Sequence, residues 1–240
     1  MASWKLYNGT KSEWQHHFLN SKNHYRQSFD WGNYKFMMNW KVLRLEKIDE
    51  TGKKTLVQIT YKKKFLFCAA YIPGDIAGDI NLLNADFKKK IMEITNCKFL
   101  YIRIDSNNTE VNKEASFFKK NNWNKPIHRE HASKSIDCHI NIEIDQLIKE
   151  SSNDWKKNYK RSINKFNNNN LTIQITNTPN SKDLVLISAT MNKNKKIYVP
   201  HSQKEFLYLN KNLNQNILFA VVYSSEGIPL GYRGMIYYED

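Results

Sequence analysis

Strict alternation marks one clear strand. Ile136, Cys138, Ile140, Ile142 and Ile144 alternate with Asp137, His139, Asn141 and Glu143, the period of a strand with one buried face. Further on, the period lengthens. Trp155, Tyr159, Ile163 and Phe166 form one stripe of a helix predicted over 155–166, with Lys156, Lys157, Lys160, Arg161 and Lys165 on its other faces. Ser152, Asn153 or Asp154 can cap it. The Asn run at 167–170 ends it, and 171–176 reads as a strand.

The first half predicts a short helix at 13–19. Strands follow at 40–48 and 55–61, joined by a turn at Glu50, Thr51 and Gly52. A third strand, 65–72, is so continuously apolar that it predicts burial on both faces. Pro73 and Gly74 break it. Gly78 precedes a helix carrying Leu83, Phe87, Ile91 and Ile94; a strand at 99–104 and a helix at 110–120 follow. The second half repeats part of this plan, with helices near 181–192 and 202–213. A hairpin then pairs 217–223 with 230–238 across Ser225, Glu226 and Gly227. The first half continues past its hairpin into a third strand, a loop, a helix and another strand. The second half reaches Asp240 first, which leaves an unpaired edge, so either the second unit is truncated or residues from elsewhere complete it.

Composition narrows the class. Of 240 residues, 40% are hydrophobic, enough for a real core, and 8 Gly with 5 Pro exclude collagen-like or linker-like chains. The three cysteines are odd in number and widely spaced, which fits no disulfide framework. No apolar run reaches the length of a membrane span, and the first residues lack the apolar stretch of a signal peptide. The expectation is a soluble, cytoplasmic protein. Lys and Arg number 37 against 23 Asp and Glu, a formal +14. That field favours anionic partners: nucleic acid, phosphoryl substrates or an anionic membrane face. Joint enrichment in Lys and Asn is equally the mark of AT-rich coding.

Most chemical motifs are missing. No phosphate-binding P-loop, dinucleotide fingerprint or nucleophile elbow occurs. His128, His131, Cys138 and His139 match no regular zinc spacing, so no metal site is expected. The loop from Tyr71 to Asp79 joins a strand to a helix; it reads as an ordinary connection or as a phosphate cradle. The basic helix reads as a solvated face or as a track for a phosphate backbone.

Several segments together resemble the Fem-type (FemABX) aminoacyltransferases. Gln27-Ser-Phe-Asp-Trp31-Gly-Asn-Tyr-Lys35, followed by Trp40, is similar to the family's N-terminal signature. Tyr71-Ile-Pro-Gly74 resembles its Tyr-x-Pro-x-Gly-Pro loop, and Arg103-Ile-Asp105 its Arg-x-Asp/Glu-Pro strand end. A strand ending at Asp145, then a helix bearing Lys160-Arg-Ser-Ile-Asn-Lys165, resembles the opening of its second domain. The resemblance runs from about Trp14 to Asp240. Asn39 stands where the family has Gly, Asp75 follows Gly74, and Ser106 follows Asp105 in place of Pro.

The resemblance implies an α/β (α+β) fold of two tandem GNAT-like acyltransferase units, 1–145 and a partial 146–240. The family's remaining C-terminal elements would lie beyond Asp240. It implies transfer of an amino acid from aminoacyl-tRNA to the amine of a peptidoglycan precursor stem peptide. The acceptor would be a UDP- or lipid-linked muropeptide, with peripheral contact to the membrane surface and no cofactor besides the tRNA co-substrate. Asp105 would be the catalytic acid that contacts the acceptor. Lys35, Arg103, Arg161, Lys193 and Tyr198 would bind substrate; Lys193 closes a Thr190-Met-Asn-Lys segment similar to a Thr-x-x-Arg phosphate contact. The alternatives are an acyl-CoA-dependent N-acyltransferase acting on a cell-envelope sugar or amine, and a non-catalytic phosphate- or nucleic-acid-binding relative.

Overall fold

The computed structural model describes residues 3–21, 24–74, 80–105, 119–124, 144–195 and 201–238. The chain divides into two compact units, one of residues 1–134 with 238–240 and one of residues 135–237.

The first unit is built on a five-stranded sheet in sequential order: β1 (Lys5–Leu6), β2 (Lys41–Ile48), β3 (Lys54–Lys64), β4 (Phe67–Ile72) and β5 (Phe99–Ile104). The first three junctions are antiparallel and β4–β5 is parallel, as the intervening helix requires. The expected β2–β3 turn forms at 49–53, where Asp49 Oδ1 accepts from the Thr51 and Lys53 amides and Gly52 takes φ +83°.

Helix α3 (Ala85–Thr95) starts at Asn84, whose side chain caps the Asp86 and Phe87 amides. It lays Phe87 and Ile91 on one sheet face, against Leu43, Leu45, Val57, Ile59, Ala70 and Ile72. Helices α1 (Lys11–Asn20) and α2 (Phe29–Met37) lie over the opposite face, where Trp14 and Phe18 bury Leu56. β3 is therefore buried on both faces from Thr55 to Thr60 and emerges only at its lysine-rich end.

The run expected as a fully buried strand at 65–72 is a turn plus a one-sided strand. Phe65 and Leu66 make a two-residue turn; Cys68, Ala70 and Ile72 point into the core, while Phe67 and Ala69 are exposed. An all-apolar run does not reveal which of its faces is covered.

The second unit has helices α4 (Ile144–Glu150), α5 (Asn153–Asn168), α6 (Ser181–Lys195) and α7 (Gln203–Leu213), and a three-stranded antiparallel sheet. The strands are β6 (Thr172–Thr176), β7 (Ile217–Tyr223) and β8 (Pro229–Ile236), with β7 central. Its buried side chains include Leu184 and Ile187 of α6, Phe206 and Leu213 of α7, and Ile217, Phe219 and Val221 of β7. Asp145, expected at a strand end, stands in the first turn of α4, a segment whose acid at the start and Lys149 at the end suit a helix. The rest of the alternating segment at 136–143 lies outside the described residues. α5 forms as expected, but it has no buried residue. Trp155 and Tyr159 stack on each other with ring centroids 5.4 Å apart and remain over a third exposed.

Candidate active site

A cavity of about 520 Å3 opens in the first unit at the carboxyl ends of β4 and β5. Ends of adjacent parallel strands are where open α/β sheets hold ligands, because the chain leaves the sheet there through loops. Ala69, Ala70 and Tyr71 of β4, and Tyr101, Arg103 and the following Asp105, form its floor; Arg26 and Trp40 close it. Alternation sorts β5: Leu100, Ile102 and Ile104 pack on the core, leaving Tyr101 and Arg103 on the cavity face.

Asp105 is fixed from three directions. Its amide donates to the Ile72 carbonyl at 3.1 Å, extending the β4–β5 pairing by one residue. Arg103 Nε donates to Oδ1 at 3.0 Å, and the Tyr71 hydroxyl donates to Oδ2. Each carboxylate oxygen thus has one donor and keeps lone-pair capacity for a donor from the cavity. Burial first, and then the hydrogen bond and charge of Asp105, push the Tyr71 pKa up to about 12, so Tyr71 is a neutral donor at any physiological pH. The Arg103 guanidinium is held above its usual range by the same carboxylate and lies 5.8 Å from the Tyr71 ring.

Arg26 sits in a short 3-10 turn, Tyr25–Gln27, that deep hydrogen bonds anchor. Gln27 is buried: its side chain donates to the carbonyls of Gln58 (3.1 Å) and Pro73 (2.8 Å) and accepts from the Gln58 amide at 2.7 Å. Gln58 returns donors to the carbonyls of Arg26 and Ser28 and accepts from Arg44 Nε. Ser28 caps α2 through the Trp31 amide and accepts from the Tyr238 hydroxyl at 2.8 Å. Gly74, at φ +73°, lies so close beneath His24 that a Cβ would meet the His24 Cβ at 2.4 Å. The Gln-Ser segment and the Tyr-x-Pro-Gly loop are therefore one clamp that carries Arg26 and Tyr71 to the cavity.

Asn39 occupies the position where the resembled pattern has Gly. It has φ +62°, a left-handed conformation that Asn tolerates better than most residues. The departure keeps the turn that ends α2 and delivers Trp40 to the cavity wall. The Lys62 ammonium packs 4.8 Å from the Trp40 ring. Arg26 and Arg103 line the cavity with one carboxylate, Asp105, so the wall suits a ligand that joins an anionic group to a hydrogen-bond donor.

Of the residues expected from sequence, Arg103 and Asp105 come together in this cavity. Lys35 lies on α2, its ammonium 5.0 Å from the Trp31 ring; the Arg26 guanidinium packs on the same ring at 5.9 Å. Arg161 on α5 and Lys193 on α6 are exposed residues of the second unit. Tyr198 lies outside the described residues, as do His128, His131, Cys138 and His139. Sequence reasoning did not single out Arg26 or Tyr101 for the site. The alternation of β5 could have found Tyr101; no local signal marks Arg26. Among the described residues, no cluster of three or more His, Cys, Asp or Glu could hold a metal ion, and no helix is long and apolar enough to cross a membrane.

No family model matches the chain, and no curated protein matches it in sequence. Among solved structures it is similar to FemX, with 14% identity and a TM-score of 0.69 over 91% of this chain. The match covers 57% of the FemX chain, so this chain spans little more than half of that protein. L-PGS from Bacillus licheniformis aligns over 95% of this chain and 62% of its own at 12% identity, with a TM-score of 0.47. The FemX likeness shows the fold: a mixed α/β, GNAT-like architecture similar to FemX.

Proposed function

We propose that the chain is an aminoacyltransferase that moves an amino acid from aminoacyl-tRNA to the amine of a peptidoglycan precursor stem peptide. One observation carries the reading: Asp105, fixed by Tyr71 and Arg103, faces a cavity that Arg26 and Trp40 close. The fold shared with FemX supports it. In this reading the acceptor amine donates to the spare lone pairs of Asp105, which aim the nitrogen at the ester carbonyl. The C–N bond forms, the ester C–O bond breaks, and the proton lost by the amine ends on the departing ribose oxygen. No covalent enzyme intermediate is involved; the rate comes from positioning. Arg26, Arg103 and Lys35 meet the acceptor's phosphates, while Arg161, Lys193 and the other cations of α5 meet the tRNA or a second phosphate. Tyr198 joins the substrate-binding set on the strength of the resemblance. Titration of a UDP-linked muropeptide into the 240-residue chain by calorimetry tests the acceptor half. Binding that Arg103→Ala weakens about tenfold or more supports it. Absence of binding, alongside tight binding of acetyl-CoA, would move the reading to an acyl-CoA-dependent transferase.

A further inference from the structure

The tip of the β3–β4 hairpin combines two features that soluble surfaces keep apart. Lys62, Lys63 and Lys64 end β3, Phe65 and Leu66 form the turn, and Phe67 opens β4. Phe65 is 83% exposed and Phe67 62%, and Leu66 and the neighbouring Phe99 are also open to solvent. Scattered apolar residues are common on surfaces, but a contiguous group of large ones marks a contact site.

The tip is held in shape. Phe67 and Phe99 are register partners and stack with centroids 4.7 Å apart. The Leu66 carbonyl accepts from the amides of both Lys98 and Phe99, which ties the turn to the head of β5. Phe65 takes φ +52°, a left-handed conformation usually given to Gly or Asn and uncommon for a bulky aromatic. A turn-building residue would fit there more easily, so the aromatic side chain is present for what it touches.

Charge selects the partner. No Asp or Glu occurs between Thr51 and Gly74 or between Ile94 and Ile104. Lys62, Lys64 and Lys98 are exposed around the apolar apex. An aromatic and leucine apex within a lysine collar is complementary to an anionic lipid interface, where apolar side chains enter the acyl boundary and lysines stay at phosphate level. A nucleic acid would engage the lysines but leave Phe65 and Leu66 without a role. A second copy of the chain would set lysines against lysines.

We propose that this hairpin tip docks on an anionic membrane surface, with Phe65, Leu66 and Phe67 inserted and Lys64 and Lys98 on lipid phosphates. The inference stands on the tip and does not rest on the reading of the cavity.

The test is sedimentation of the 240-residue chain with vesicles of equal parts phosphatidylglycerol and phosphatidylcholine, and with phosphatidylcholine alone. The wild type should bind the mixed vesicles, less tightly as salt is added. Phe65→Ser with Phe67→Ser should weaken binding about tenfold or more, and Lys64→Glu with Lys98→Glu should do likewise, with urea unfolding unchanged. Independently, Phe65→Trp reports insertion by a blue shift of its emission when vesicles are added. Vesicle binding that the serine variant retains in full, with no emission shift at position 65, would overturn the proposal. So would binding of a single-stranded oligoribonucleotide with no vesicle binding, or a self-association that the serine variant abolishes.

Discussion

Gln27 and Gln58 hold each other at both ends. The Gln58 amide donates to the Gln27 side chain at 2.7 Å, and the Gln27 side chain donates back to the Gln58 carbonyl at 3.1 Å. Gln58 stands on the central strand and Gln27 in the turn above it, and the pair reaches from there to Pro73, Arg26, Ser28 and Arg44. Gln58→Ala would leave the Arg26 carbonyl and Arg44 Nε without their partner, while the Ser28 carbonyl keeps the Gly32 amide and Arg44 Nη2 keeps Phe29 and Asn33. Stability should fall by about 2–4 kcal/mol, read as a lower urea midpoint. A loss under about 1 kcal/mol would mean that water replaces the side chain and that the network is not what fixes the segment.

Gly32 gives a test of sign. It sits inside α2, where Ala would ordinarily gain about 1 kcal/mol over Gly. Here a Cβ would meet Gln58 Oε1 at 2.1 Å and Arg44 Nη2 at 2.5 Å. Gly32→Ala should therefore destabilise by about 1–3 kcal/mol in thermal or urea unfolding. A stabilised variant would show that the network yields easily.

Tyr71 sets a pH window. Its pKa is raised from 10.0 to about 12 in the folded chain, by burial first and then by Asp105. A raised folded value contributes stability that is complete below the unfolded pKa, about 10 for tyrosine, and is lost as pH climbs through the folded one. Urea unfolding from pH 9 to pH 12 should show a loss for the wild type that Tyr71→Phe reduces. Tyr238, also pushed up to about 12 by burial, remains as a common background in both proteins. Identical slopes would mean that Tyr71 ionises as freely in the folded chain as in the unfolded one.

Lys35 should matter to binding more than to folding. Its ammonium rests on the Trp31 ring that Arg26 also shares. Lys35→Ala should reduce affinity for a UDP-linked muropeptide about tenfold and leave the urea midpoint nearly unchanged. Equal losses of both would assign Lys35 to the packing of the Tyr25, Trp31 and Tyr34 rings instead.

Elements with one clean period were legible in the sequence: β5, the β2–β3 hairpin and its Gly52 turn, and the helices from α5 onward all form near their expected bounds. α2 was hidden because Phe29–Met37 mixes aromatics with a central Gly and reads as a motif; its start rests on the Ser28 cap. Phe65–Phe67 was misplaced because burial depends on what a sheet face meets, which the run itself does not contain. The same limit applies to the site. Arg103 and Asp105 stand two residues apart and could be read together, whereas Arg26 arrives only through Gln27 and Gln58, 31 residues apart. The Gln-Ser and Pro-Gly elements of the resemblance proved to be the clamp beneath the cavity.

Under the proposed function, Asp105 positions an acceptor amine for aminoacyl transfer. The direct measurement is transfer of a radiolabelled amino acid from aminoacyl-tRNA to a UDP-linked muropeptide, with wild-type chain and Asp105→Asn compared. Asn keeps the size and accepts through one oxygen, but it loses the charge that holds Arg103 and the second oxygen that can accept from the amine. The wild type should turn over, and kcat should fall about a hundredfold or more in Asp105→Asn, with unchanged urea unfolding. Equal turnover by both proteins, or transfer from acetyl-CoA in place of aminoacyl-tRNA, would contradict this reading.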